Sequence, residues 1–399
     1  LNHVSAVKVL APVVSNKIES NEIAYIHNNI ELKRIPSFDL LSFKNRIKTI
    51  ISIPYILFKI IKIMLWADHI HLRCPGNVGL LGCFVQILFP KKIKTVKYAG
   101  NWDPKSKQPW SYRLQKWILS NTFLTRNTKV LVYGNWPKQT KNIVPFFTAS
   151  YSEKEIEEVE IRSLKEITKG IRKSKISLRQ AQTDNTECHP EPVEGTFTSS
   201  DDEMLNQVQH DESSGHPEPV EGSKNTKVKF LFVGGLTPGK QPLLTVEVIE
   251  LLQKKGYNVQ LDIYGDGVER AKIANYIVEN SLEDVVFLHG NKPKEVIKKA
   301  FQNSHFLVFI SKSEGWPKVV AEAMFWGCLP ITSNVSCVSD LLGNETRGAL
   351  VKPDVFEIVL AIEKYIKDEK KYIKHSQNAL NWSRGYTLEK FEKEIEKLL

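Results

Sequence analysis

The chain has 399 residues, 42% of them hydrophobic and 25% charged, with 21 Gly and 19 Pro. That length suits two domains with separate cores, and the composition excludes a collagen-like, wholly disordered or multi-span membrane protein. The net charge of +10 is uneven: residues 1–150 hold 22 basic and 6 acidic side chains, whereas residues 177–223 hold 1 and 11. Five scattered cysteines (Cys74, Cys83, Cys188, Cys328, Cys337) with no C-x-x-C pair fit a reducing compartment and argue against a disulfide framework or zinc ribbon.

In chain order, residues 1–150 alternate strand and helix signals. Val4–Val14, Leu32–Pro36, His69–Leu72, Lys94–Tyr98 and Lys129–Tyr133 read as short strands, and Leu41–Leu65, Gly79–Phe89 and Tyr112–Asn121 as helices. Strands separated by helical stretches imply parallel βαβ units in a doubly wound sheet. The longest apolar run, Ile47 to Trp66, contains Lys48, Lys59, Lys62 and Pro54. It is a poor spanning segment and reads either as a helix packed on its own sheet or as an amphipathic helix on an anionic lipid surface.

Residues 151–176 change from acidic to basic along their length, the polarity a helix dipole favours, and read as a helical linker. Residues 177–227 read as a disordered acidic insertion. They contain HPEPVEG twice, at His189–Gly195 and His216–Gly222, and resemble the translation of a dispersed palindromic repeat. A second α/β lobe is expected over 228–375, with strands at Val228–Val233, Val259–Tyr264, Val285–His289, His305–Ile310 and Leu329–Thr332 and helices between them. The chain closes with a charged helical tail.

The most informative stretch is Ser311–Pro330, SKSEGWPKVVAEAMFWGCLP. It begins where a strand ends, at the sheet edge where open α/β folds bind ligands. Gly315 and Pro317 turn the chain into a helix near Lys318, whose free N–H groups suit a diphosphate. Glu314 before the helix and Glu322 inside it are acceptors for hydroxyl groups. Two glutamates eight apart are common alone. Within S-x-S-E-G-W-P…E-A-M-x-x-G-x-P the pair resembles the signature of retaining GT4-type (group 1) glycosyltransferases of the GT-B fold, in which two Rossmann-like domains face a cleft.

The resemblance is strong over about residues 228–350. Phe230–Lys240 (FLFVGGLTPGK) matches the segment in which the family's Arg and Lys hold the donor diphosphate. Lys240 stands at the lysine position and Gly235 at the arginine position, so one cation is absent. Tyr264–Gly267 (YGDG) matches the family's glycine turn, with Asp266 read as an ordinary turn residue. Phe287–Gly290 leads into a loop expected to wall a nucleobase, with His289 read as a core histidine. The resemblance implies donor contacts from Gly235, Lys240, Gly315, Trp316, Pro317, Lys318, Val319 and Glu322, with Glu314 and Lys240 catalytic. It also implies a tail over 376–399 that crosses back to the first lobe.

In the first lobe Asn101 and Trp102 stand where the family often has a histidine and are candidate acceptor contacts, Trp102 having packing as its alternative. The family begins with one more βα unit than Val4–Val14 supplies, which implies a chain truncated at its start and of reduced activity. No Asp-x-Asp triplet occurs and the alternating His69 and His71 are not read as metal ligands, so the expectation is metal-free transfer without a cofactor. The implied partners are a nucleoside-diphosphate sugar and a glycan or polyprenyl-linked acceptor, in the cytoplasm or on the inner face of the plasma membrane. The basic charge with Trp102, Trp110 and Trp117 offers nucleic-acid binding as an alternative, but no recognised module supports it.

Overall fold

The computed structural model describes residues 3–12, 25, 27–36, 46–164 and 227–398. The acidic insertion with its repeats, Cys188 and the second half of the expected linker helix lie outside them.

In the first lobe β1 (Val7–Pro12) pairs in parallel with β2 (Ile30–Ile35). A second parallel ladder runs in chain order through β3 (His69–Cys74), β4 (Ile93–Tyr98), β5 (Thr128–Val132) and β6 (Ile143–Pro145). The expected single sheet is therefore two ladders among the described residues. They share one core, where Leu10 and Ile35 pack with α1 (Arg46–Trp66) and β3. Ile56, Ile60 and Met64 of α1 are buried at four-residue spacing, the stripe an amphipathic helix turns to its sheet. The packed reading thus holds for one face of α1, while Tyr55, Phe58 and Leu65 on the opposite face are exposed. α2 (Asn77–Val85) and α3 (Trp110–Ser120) complete the lobe.

The second lobe is a six-stranded parallel sheet. Its strands are β7 (Val228–Val233), β8 (Val259–Tyr264), β9 (Val286–Gly290), β10 (Phe306–Phe309), β11 (Leu329–Ser333) and β12 (Ala349–Val351), in the order β12-β11-β10-β7-β8-β9. The central strands read FLF and FLVF and are buried on both faces, as a sheet covered by helices requires. The crossover helices are α4 (Pro242–Lys254), α5 (Arg270–Glu279), α6 (Lys294–Asn303), α7 (Lys318–Phe325) and the short α8 (Val338–Leu341). The strand order reverses between β7 and β10, and the loops that leave those two strands meet there.

Two expectations are corrected. Through Leu164 the linker is not an α-helix: Ser152 caps one 3-10 turn, Glu153–Glu155, and 156–164 follow without helix. Lys294 and Lys298 hold Glu155 and Glu157 at 2.6 Å, Arg162 donates to the Phe301 carbonyl, and Leu164 is fully buried. These distant partners override local propensity. The tail is three helices, α9 (Val355–Lys367), α10 (Glu369–Ser383) and α11 (Leu388–Glu396), so the crossing segment is broken between Ser383 and Leu388. It does return to the first lobe, where Phe391 packs edge-on against Phe146 and Phe147, and the Leu388 N–H donates to the Tyr151 carbonyl at the start of the linker.

Candidate functional site

The loops after β7 and β10 are stitched together at the sheet's switch point, the position where doubly wound folds bind ligands. The Lys312 N–H donates to the Gly239 carbonyl at 2.8 Å, and the Ser311 hydroxyl donates to the same oxygen at 3.2 Å. This brings together two predicted residues 74 positions apart: the Lys240 ammonium donates to the Glu314 carboxylate. Lys240 also lies 4.7 Å from the Phe309 ring centroid. The Glu314 side chain is 10% exposed and that of Lys240 29%, so the pair is sheltered without being sealed. The glycine turn sits beside it. A Cβ at Gly265 (φ +136) would overlap the Gly234 carbonyl, so two loop backbones touch where only glycine fits. Asp266 accepts from the Gly267 N–H, as a turn residue does, and Gly235 brings backbone but no charge.

The start of α7 is less open than the sequence implied. The Lys318 N–H is already given to the Trp316 carbonyl at 2.9 Å, a tight turn that Pro317 favours. Glu322, one turn inside α7, accepts from the Ser150 hydroxyl at 2.5 Å, a partner that sequence reasoning did not identify. The Trp316 ring lies 5.5 Å from that of Tyr133, and its indole N–H is buried without a partner. Gly315 lies close against the first lobe: a Cβ there would overlap the Ala99 carbonyl oxygen. Its own carbonyl accepts from Ser336 at 2.9 Å.

On the first lobe, Asn101 reaches Ser313 of the loop after β10 at 3.5 Å. Trp102 is 4% exposed and meets Tyr98 edge-on at 4.7 Å, so it takes the packing alternative and does not stand open at the lobe boundary. Lys97 was missed. Its ammonium lies 4.2 Å from the Tyr133 centroid and 4.8 Å from that of Phe146, and donates to the Phe147 carbonyl at 3.3 Å. No carboxylate pairs with it among the described residues, and burial pushes its pKa down to about 7. A charged residue at a sheet edge with an aromatic two strands away is too common a pattern to have singled it out.

His289 is half-exposed, not a core residue. It bonds Asp262 at 2.7 Å and stacks on Tyr264 at 4.5 Å. His69 and His71 share the Thr95 hydroxyl at 2.9 and 2.8 Å. Burial lowers both, and His71 falls to about 4.

Residues 218–382 match the family model described as glycosyl transferases group 1, a span that includes Lys240, Glu314 and Glu322. Lipopolysaccharide 1,6-galactosyltransferase of Escherichia coli K12 is 29% identical over 144 residues, 35% of this chain and 40% of that protein. The amylovoran biosynthesis glycosyltransferase AmsK of Erwinia amylovora is 28% identical over 141 residues, 34% and 35% of the two chains. The chain thus spans two-fifths or less of the length of these curated relatives. The crystal structure of Anabaena HepE in complex with UDP and glucose covers 92% of this chain and 86% of that one, with a TM-score of 0.58 at 13% identity. That likeness shows the fold alone, the two-lobed GT-B arrangement of Rossmann-like domains.

Proposed function

We propose that the chain transfers a sugar from a nucleoside-diphosphate donor to a hydroxyl of a glycan or polyprenyl-linked acceptor, with retention of configuration, in bacterial cell-surface polysaccharide synthesis. The observation that carries this reading is the Lys240–Glu314 pair at the switch point, facing the other lobe across Gly315 and Ala99. Lys240 and the Val319 N–H take the charge that develops on the leaving diphosphate, a preorganised electrostatic role that needs no metal. Glu314 holds the sugar hydroxyls. Glu322 holds the ribose, for which it must exchange its Ser150 partner, and the unpartnered Trp316 N–H is a further donor to the ligand. Incubating the full chain with a panel of nucleotide sugars and acceptors, with products read by mass spectrometry, tests the reading. Glu314→Gln should cut transfer far more than nucleotide binding, and unchanged turnover would contradict the assignment.

A second reading, a chain that binds nucleotide sugar without transferring it, is favoured by Gly235 at the position of the family's arginine. Donor binding with no transfer to any acceptor would support it. The acceptor reading extends to the membrane surface. No helix among the described residues is long and apolar enough to cross a bilayer, but α1 exposes Tyr55, Phe58 and Leu65 beside Lys59 and Lys62. That combination suits the interface of an anionic leaflet on the cytoplasmic side. Sedimentation with phosphatidylglycerol vesicles but not with phosphatidylcholine vesicles is the expected result.

A further inference from the structure

Behind the loops that meet the second lobe, the first lobe has a half-open cleft of about 210 Å³ between α3, the loop after β4 and the loop after β5. At about 30 Å³ per water molecule this is space for about seven waters, the scale of one sugar ring. Its lining has a consistent chemistry. Trp102 and Trp136 supply indole surface. Lys116 spends two of its three donors on the Trp102 and Asp103 carbonyls, at 2.9 and 3.2 Å. The Gln139 amide nitrogen is buried and has no partner. Lys138 stands at the rim with φ of +61°. The lining itself includes no carboxylate, although the charge of Asp103 beside it acts on Lys116, and Lys138 has no ion-pair partner among the described residues.

We infer that this cleft is a binding subsite for an acidic sugar, a pyranose whose carboxylate or phosphate meets Lys116, Lys138 and the Gln139 amide while its C–H face lies on the indoles. A buried amide donor without a partner is costly unless a ligand satisfies it, and a cluster of donors in which only Lys116 feels a carboxylate, that of Asp103, favours an anion. The two walls are the loops that touch the donor lobe, through Asn101 to Ser313 and through the Asn135 N–H to Asp340 at 3.4 Å. An acceptor chain anchored here is therefore held beside the lobe boundary. The inference rests on reading the first lobe as the acceptor side, and it names the acceptor as an anionic glycan.

Saturation-transfer NMR on the full chain compares methyl glucuronide, glucose 6-phosphate, methyl glucoside and inorganic phosphate, with UDP titrated separately. One or both acidic sugars should bind at least tenfold more tightly than the glucoside and than phosphate, and which of them does so identifies the anion. Gln139→Glu should abolish that preference and Gln139→Leu should weaken it, with UDP binding unchanged in both. Equal binding of acidic and neutral sugars, binding of phosphate alone, no binding, or a preference that survives Gln139→Glu would overturn the subsite. Failure of UDP to bind would instead count against the donor reading and leave this one standing.

Discussion

Lys240 and Glu314 pair across the point where the sheet of the second lobe changes direction, so that one ion pair joins the loops of its two central strands. In the proposed reaction the lysine has two tasks, to fix the carboxylate and to meet negative charge on the donor. Lys240→Met keeps most of the side-chain volume and removes both. Removing one preorganised charge-stabilising donor typically lowers turnover by about 10²–10³-fold, and a loss of that size is expected in the rate of product formation. Turnover within twofold of the parent chain would leave the pair a structural contact only.

Lys97 provides a test by pH. Its folded pKa of about 7 lies below the unfolded value of roughly 10.4. Between those values the unfolded chain holds the proton that the native chain has released, so stability rises with pH across this window. Below about pH 7 the native state carries the full cost of a buried charge, and above roughly pH 10.4 it carries none. Lys97→Met should therefore raise the melting temperature most at pH 6, with the gain shrinking toward pH 10. A difference independent of pH would mean that the aromatic neighbours hold the ammonium charged.

The second lobe was readable because its signals are local. The apolar runs of β7 and β10 follow from a constraint a few residues long, and Gly265, Gly267 and Gly315 stand out in the sequence as turn residues although their space is set by the distant backbones of Gly234, Leu236 and Ala99. That Lys240 and Glu314 belong to one site was legible only through resemblance, and their direct pairing was not anticipated, since nothing in either segment alone points to the other. What stayed hidden depends on distant partners. Residues 152–164 carry helix-forming glutamates, yet Lys294, Lys298 and Phe301 hold them outside a helix. Lys97, Ser150 and Gln139 owe their roles to neighbours on other elements, and β6 is three residues long, too short for a period to register.

Gly315 tests how closely the lobes must approach. Its φ is not in the left-handed region, so the glycine is required by space: a Cβ would overlap the Ala99 carbonyl, and both sides of the contact are backbone. Gly315→Ala must push the lobes apart or displace the Glu314 loop. Since a misplacement of about 1 Å can lower a rate by about 10²-fold, a drop of about that size in kcat/KM is expected, with a larger radius of gyration in small-angle scattering. Gly76→Ala, where nothing lies within 4 Å of the added carbon, serves as the control. Parental activity in the Gly315 variant would show that the lobes do not need this contact.

Phe391 tests whether the returning tail holds the lobes as one body. Its ring meets Phe146 at 5.5 Å and Phe147 at 5.8 Å, and Phe147 in turn meets Tyr386 at 4.9 Å, all edge-on. Each such pair contributes about 0.5–1.5 kcal/mol beyond its buried area. Phe391→Ala removes two of them, which predicts a loss of about 1–3 kcal/mol, read in urea unfolding. Because α11 is otherwise a charged surface helix with no fully buried residue, the loss should fall on its docking and not on the core of either lobe. Limited proteolysis should then cut first between Arg384 and Thr387, the break before α11. Cleavage at the same rate as in the parent chain would show that the Leu388 backbone bond to Tyr151 is enough to hold the tail.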